Sequence, residues 1–285
     1  MTNPIVVGTD GSPSAERAVE WAAAEAARRR CRLHVVYAAQ PRDCGIAFAP
    51  GPWDVDVLAE AGEQFLRHAT EIAAKAVPDV AVTTEMMFEA PGLALREQAC
   101  RAAEVVVGHR GRGGFAGLLL GSTSLRLAGR TPCPLVIVRG GTGERDEVLA
   151  GVDLRDGESA RVLEYAFEAA ALRGAWVRAV HTWEVPPAKA YPETVREALT
   201  ATQVRLSEAV APWRARYPDV RVVEETPSGH PVEELAGRSR RADMLVVGSH
   251  RHGPGPRMGS VGHGVIHHAD CPVAVVGPPE EDRAR

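Results

Sequence analysis

Lysine is almost missing from this chain. Of its 33 basic residues only Lys75 and Lys189 are lysines, and arginine supplies the rest. A phosphate loop of the GxxxxGK[ST] type needs a lysine beside its second glycine, so that loop is excluded. Cysteine is scarce and odd in number. Cys31, Cys44, Cys100, Cys133 and Cys271 show no CxxC spacing, which excludes a regular disulfide framework and makes a reduced, cytoplasmic setting the expectation. No run reaches the roughly 18 consecutive apolar residues of a membrane span. No charged n-region with a cleavable apolar stretch precedes Ile5-Val6-Val7, so no secretion signal is expected. Net positive charge is lacking too. The formal net charge is -4, which removes any bulk attraction for nucleic acid or an anionic membrane.

What is present is a soluble globular composition, 45% hydrophobic and 25% charged, over 285 residues. That length suits two domains, each large enough to bury a core. The chain also repeats itself. One half opens Ile5-Val6-Val7-Gly8-Thr9-Asp10 and the other Val148-Leu149-Ala150-Gly151-Val152-Asp153, and both continue into an Ala/Glu/Arg-rich stretch. The halves close as Thr131-Pro132-Cys133-Pro134-Leu135 and Ala269-Asp270-Cys271-Pro272-Val273. A period of about 140 residues is too long for a solenoid and reads as a duplicated domain. Residues 1–139 form the first domain, 140–145 a Gly-rich flexible linker, 146–277 the second domain, and 278–285 a disordered tail.

Within the first half, strands are expected at residues 5–7, 33–38, 80–88, 105–107 and 135–138. Helices are expected at 14–30 (capped by Ser12 or Ser14), 55–76, 91–103 and 122–128, with a loop holding Pro41, Pro50 and Pro52. The second half follows the same order, with strands near Val148, Val177, Val220, Met244 and Val273. Strands alternating with helices imply an α/β fold. Each domain is then doubly wound, with a five-stranded, mainly parallel sheet between helices and ligands at the carboxyl ends of the strands.

The stretch that carries chemistry runs Val107-Gly108-His109-Arg110-Gly111-Arg112 to Gly121-Ser122-Thr123-Ser124. Glycines let a backbone approach an anion closely. Peptide N–H groups and hydroxyls at the following helix start face a phosphate, and Arg110 and Arg112 add positive charge. On glycines alone, a surface loop with an ordinary serine cap is an equal reading. The spacing G-x2-G-x9-G-S, at Gly108, Gly111, Gly121 and Ser122 after a fourth strand, resembles the ATP-binding motif of universal stress proteins. The Gly8-Thr9-Asp10-Gly11-Ser12 opening, the Leu33-His34-Val35-Val36 strand and the Cys133-Pro134-Leu135-Val136-Ile137-Val138 close are similar to that family as well. The resemblance covers nearly the whole chain, twice, and implies a tandem member.

It further implies that Gly8, Thr9 and Asp10 wall the adenosine, and that Ala38 offers backbone groups to the adenine edge. Val107 and Gly108 would contact the ribose, and Gly111, Gly121, Ser122, Thr123 and Ser124 the phosphates of ATP, with or without Mg2+. Asp10 taken alone reads as a turn or capping residue. In the second half, Asp153, Gly248, Gly259 and Ser260 are kept, Thr182 stands where Ala38 does, Arg251 replaces the second glycine, and Gly262 replaces Ser124. Pro254 and Pro256 remove peptide donors. Binding there is either weakened or carried by the charge of Arg251 and Arg257. His263 and His267, one helical turn apart, have the spacing of a shared metal, but solvent-facing histidines are the commoner outcome and no metal is expected.

No catalytic residue set is evident, so a nucleotide-responsive stress module is the leading reading, with at most slow ATP hydrolysis. The other readings are an adenylating enzyme of similar fold, disfavoured because no substrate domain remains, and a scaffold that binds no nucleotide. Strands 135–138 and 273–276 are expected to pair within the chain as a pseudo-dimer. A homodimer and an unidentified protein partner stay open.

Overall fold

The structure is a computed structural model, and it describes residues 2–39, 52–112, 120–141, 145–155, 159–183, 192–249 and 258–277. Pro41, Pro50, the Arg251, Pro254, Pro256 and Arg257 stretch and the tail 278–285 lie outside the described residues. The chain divides into two compact units, Met1–Val138 and Arg139–Arg285.

In the first unit the order is β1 (Ile5–Thr9), α1 (Pro13–Arg28), β2 (Leu33–Ala38), α2 (Pro52–Ala76), β3 (Val82–Met87), α3 (Pro91–Ala99), β4 (Glu104–Gly108), α4 (Ser122–Leu127) and β5 (Leu135–Val138). The strands lie in the order β3-β2-β1-β4-β5, and every pair among them is parallel. The second unit runs β6 (Glu147–Gly151), α5 (Ser159–Arg173), β7 (Trp176–Val180), α6 (Pro192–Arg216), β8 (Val222–Glu225), α7 (Pro231–Ser239), β9 (Met244–Gly248), α8 (Ser260–His268) and β10 (Val273–Val276). Its order, β8-β7-β6-β9-β10, is the same topology, again parallel throughout. Winding runs outward from β1 in two directions, so the order reverses between β1 and β4, and the same holds between β6 and β9.

The elements follow from local chemistry. The β-branched runs Ile5-Val6-Val7 and Val105-Val106-Val107 are buried on both faces, as parallel strands must be. Ser12 caps α1 by accepting the Ala15 N–H at 3.2 Å, and Pro13 supplies the first helical residue. Trp21, Tyr165 and Phe167 are buried on helix faces and act as packing residues. Three boundaries differ from expectation. The first residue of α2 is Pro52, which was expected in the preceding loop; proline suits a helix start because the N–H it lacks has no partner there. The third helix ends at Ala99, because Arg101 and Ala102 close turns back onto Gln98 and Ala99. Phe88 lies beyond β3 and is 52% exposed, so it is no core residue.

Buried charge is paired. Glu25 is fully buried and accepts from Arg29 Nε at 2.7 Å, and Arg29 also stands 3.9 Å from buried Glu104. In the second unit Arg178 bonds Glu147 at 2.7 Å. The Gly-rich join is less free at its ends than its composition implies. Gly140 has φ +64°, and a Cβ there would lie 2.0 Å from the Asp270 carbonyl oxygen. Arg145 reaches the carbonyls of Ser239 and Ala242.

Replacing Gly140 with alanine combines left-handed strain with a backbone clash. The expected loss is about 1–3 kcal/mol of stability in the second unit, read as a lower urea midpoint. Cys271 is fully enclosed, and burial pushes its thiol up to about 12. Iodoacetamide is therefore expected to label exposed Cys100 in the native protein and Cys271 only after unfolding, which peptide mapping would check.

Candidate functional site

The first unit's candidate site lies at the carboxyl ends of β1 and β4, where the strand order reverses. The two ends are built onto each other. A Cβ on Gly108 would stand 2.6 Å from the Ser14 carbonyl oxygen, so only glycine lets β4 leave the sheet beside the start of α1. Three hydroxyls secure the approach. Ser14 Oγ lies 2.9 Å from His109 Nδ1 and accepts the Arg110 N–H at 3.3 Å. Ser12 Oγ donates to the Arg110 carbonyl at 3.4 Å, and Ser124 Oγ to the Gly108 carbonyl at 2.9 Å. The Gly121 N–H donates to the His109 carbonyl at 2.7 Å, which brings the start of α4 back to the strand exit.

Asp10 sits at the centre. Its carboxylate accepts the Ser12 N–H at 3.0 Å and the Arg112 N–H at 2.8 Å. A Cβ on Gly111 would meet Asp10 Oδ2 at 2.5 Å. The helix-capping alternative for Asp10 is therefore filled by Ser12 instead, while Asp10 joins the β1 turn to the glycine loop. The Arg112 guanidinium lies over the Phe65 ring at 4.6 Å, and Phe65 stands against Tyr37 with centroids 5.5 Å apart. A Cβ on Gly11, which has φ +71°, would overlap the same Phe65 ring. Arg110 Nε is buried and has no hydrogen-bond partner among the described residues.

The expected residues fall as follows. Thr9, Asp10, Gly108, Arg110, Gly111, Arg112, Gly121, Ser122, Thr123 and Ser124 share this end of the unit. Ala38 ends β2 one residue beyond the Thr9–Tyr37 pair, and Val107 is buried in β4. The space a side chain would need at Gly8 is taken by Leu95 of α3, so this glycine serves helix packing. The Ser124 hydroxyl is buried and committed to Gly108, whereas Ser122 is exposed and Thr123 half-exposed. Sequence reasoning missed Ser14, His109 and Phe65. His109 sits between two chosen residues and Ser14 was read only as a helix cap, and their mutual bond spans 95 positions of chain.

In the second unit the same frame carries different groups. Strand register gives Thr182 the position in the second unit that Ala38 has in the first, and Gly248 the position of Gly108. Asp153 is engaged by its own neighbour, the Arg155 guanidinium, at 2.9 Å. Gly262 occupies the Ser124 position and has no hydroxyl for the Gly248 carbonyl. Gly259 precedes α8, and Ser260, its first residue, is exposed. Arg251 lies outside the described residues. Among the described residues no group of three or more His, Cys, Asp or Glu side chains is placed to hold a metal ion, and no helix is long and apolar enough to cross a membrane.

Two successive five-stranded, doubly wound units, the first with a glycine-lined mouth at its switch point, place the chain in a class of tandem α/β proteins. The comparisons with known proteins make the class specific. Residues 1–139 and 144–277 each match the Universal stress protein family. A universal stress protein of Mycolicibacterium smegmatis is 34% identical over 291 residues, covering 96% of this chain and 97% of that protein. One from Mycobacterium tuberculosis is 33% identical over 283 residues, covering 95% and 96%. The crystal structure of a universal stress protein from Archaeoglobus fulgidus superposes with a TM-score of 0.70 at 20% identity, covering 98% of this chain and 97% of that one. The chain belongs to the universal stress protein family.

Replacing Ser124 with alanine leaves the buried end of β4 without its hydroxyl donor. A loss of about 1–3 kcal/mol is expected, and urea unfolding followed by tryptophan fluorescence would measure it.

Proposed function

We propose that the first unit binds ATP and that the chain is a nucleotide-responsive regulatory module of the stress response. The observation that carries this reading is convergence. Asp10, the glycine turn at Gly108 and Gly111, and the Gly121-Ser122-Thr123 segment meet at one strand-end mouth. The residues fit the ligand chemically. Peptide N–H groups at the start of α4 and the hydroxyls of Ser122 and Thr123 suit phosphate oxygens, and among the described residues the buried Arg110 Nε has no acceptor. Gly111 and Gly121 keep the lining free of side chains. Mg2+ would add charge neutralisation on the phosphates. Thr9, Asp10 and Ala38 stand where the adenosine would lie.

The second unit is the weaker binder in this proposal. Its aspartate is neutralised by Arg155, and its loop lacks the Ser124 hydroxyl. Ligand occupancy stabilises the first unit by mass action and thereby alters the surface it offers a protein partner. Occupancy, with turnover at most slow, is the output.

Calorimetry with ATP, ADP and cyclic AMP tests this on the full chain. One ATP site per chain is expected. Gly121→Asp puts a carboxylate where phosphate would sit and is expected to abolish binding. Gly121→Ala is expected to fold normally, because its Cβ would meet its neighbours at ordinary distances of 3.5 Å or more. No heat and no thermal shift at millimolar ATP would overturn the proposal and leave a scaffold that binds no nucleotide.

A further inference from the structure

Helix α8 carries three histidines, His263, His267 and His268, in its last turns. Its buried residues, Val265 and Ile266, seat it in the core of the second unit. Gly264 fits tightly against Val232 of α7, where a Cβ would stand 2.5 Å from a methyl group. The helix is therefore held by its core residues and by α7, and His263 and His267, four residues apart, share one face. His263 is exposed and His267 half-exposed. Their rings stand with centroids 4.8 Å apart and planes at 56°. His268 is further off, at 6.4 Å from His267.

From this geometry we propose that His263 and His267 form a two-imidazole chelate for a borderline divalent transition metal. Two histidines four residues apart on a fixed helix, with ring centroids 4.8 Å apart, leave little ordering for the metal to impose. The donor set is nitrogen alone. Among the described residues no carboxylate joins it in a metal-holding group, which favours Cu2+, Ni2+ and Zn2+ over Mg2+ and Ca2+. Arg139, whose guanidinium bonds the Ile266 carbonyl, places a positive charge nearby. That charge further disfavours ions held by electrostatics and leaves those held by strong imidazole coordination. With two protein ligands the remaining positions fall to water, so the ion exchanges readily. The site is separate from the nucleotide mouth of the first unit and does not depend on it.

Nickel alone, titrated calorimetrically into the full chain at pH 7.5, tests the proposal. Its comparison set is His263→Ala, His267→Ala and His68→Ala. His68 is the control because it is a histidine on α2, bonded to Glu16 at 3.1 Å. One saturable Ni2+ per chain is expected, lost in each of the first two variants and kept in His68→Ala, with no heat from Mg2+. Circular dichroism of the variants separates loss of binding from loss of fold, since His263 is exposed and its removal leaves the core untouched. Binding that survives either α8 substitution in a folded variant, or no saturable binding at millimolar Ni2+, would overturn the proposal.

Discussion

The exit of β4 passes so close to the start of α1 that no side chain can stand between them. At Gly108 the neighbour is the peptide carbonyl of Ser14, a group that cannot rotate away as a side-chain tip would. This contact brings the turn after β1 against the loop after β4, and the polar groups of the mouth depend on it. Ser12, Ser14 and Ser124 occupy the resulting gap as hydrogen-bonding spacers. Asp10 then reaches the Arg112 N–H across it. Polar backbone at the end of a buried strand needs partners, and here hydroxyls supply them without filling the mouth.

Both ends of the first unit's sheet hold buried charge. At the amino ends, Glu104 opens β4 near Glu25 and Arg29, and Arg29 Nε bonds Glu25 at 2.7 Å. At the carboxyl ends, the buried Arg110 Nε has no hydrogen-bond partner among the described residues, while the Arg110 and Arg112 peptide N–H groups are taken by Ser14 and Asp10. Buried ion pairs contribute little net stability but are costly to break. The Glu25–Arg29 pair at the amino end is therefore fixed by its burial.

Duplication kept the frame and altered the mouth. Both units have the same strand order and the same placement of an aspartate after the first strand. Both aspartates accept the peptide N–H two residues along, but Asp10 also takes the Arg112 N–H of the other loop, whereas Asp153 takes the Arg155 guanidinium. A frame built from buried valines and parallel pairing tolerates such exchange, because none of those mouth residues contributes to the core.

The alternation of strands and helices, the duplication and the glycine spacing of the loop after β4 were legible from residue order alone. Buried parallel strands must be continuous apolar runs, and glycine and proline punctuate the chain wherever backbone geometry is special. The two-glycine spacing from Gly108 to Gly111 and the recurrence at Gly121-Ser122 marked the loop for the same reason. Tertiary structure decided which serine does what. Ser12, Ser14 and Ser124 look alike in the sequence as helix-start hydroxyls, yet one caps α1, one meets His109, and one closes the end of β4. It also decided that Gly8 yields its space to Leu95, that Phe65 underlies Arg112, and that Asp10 and Asp153 are differently engaged. These are contacts between residues tens of positions apart or choices between nearby partners of equal chemistry. Local propensity carries no information about either until the sheet has placed the strand ends side by side.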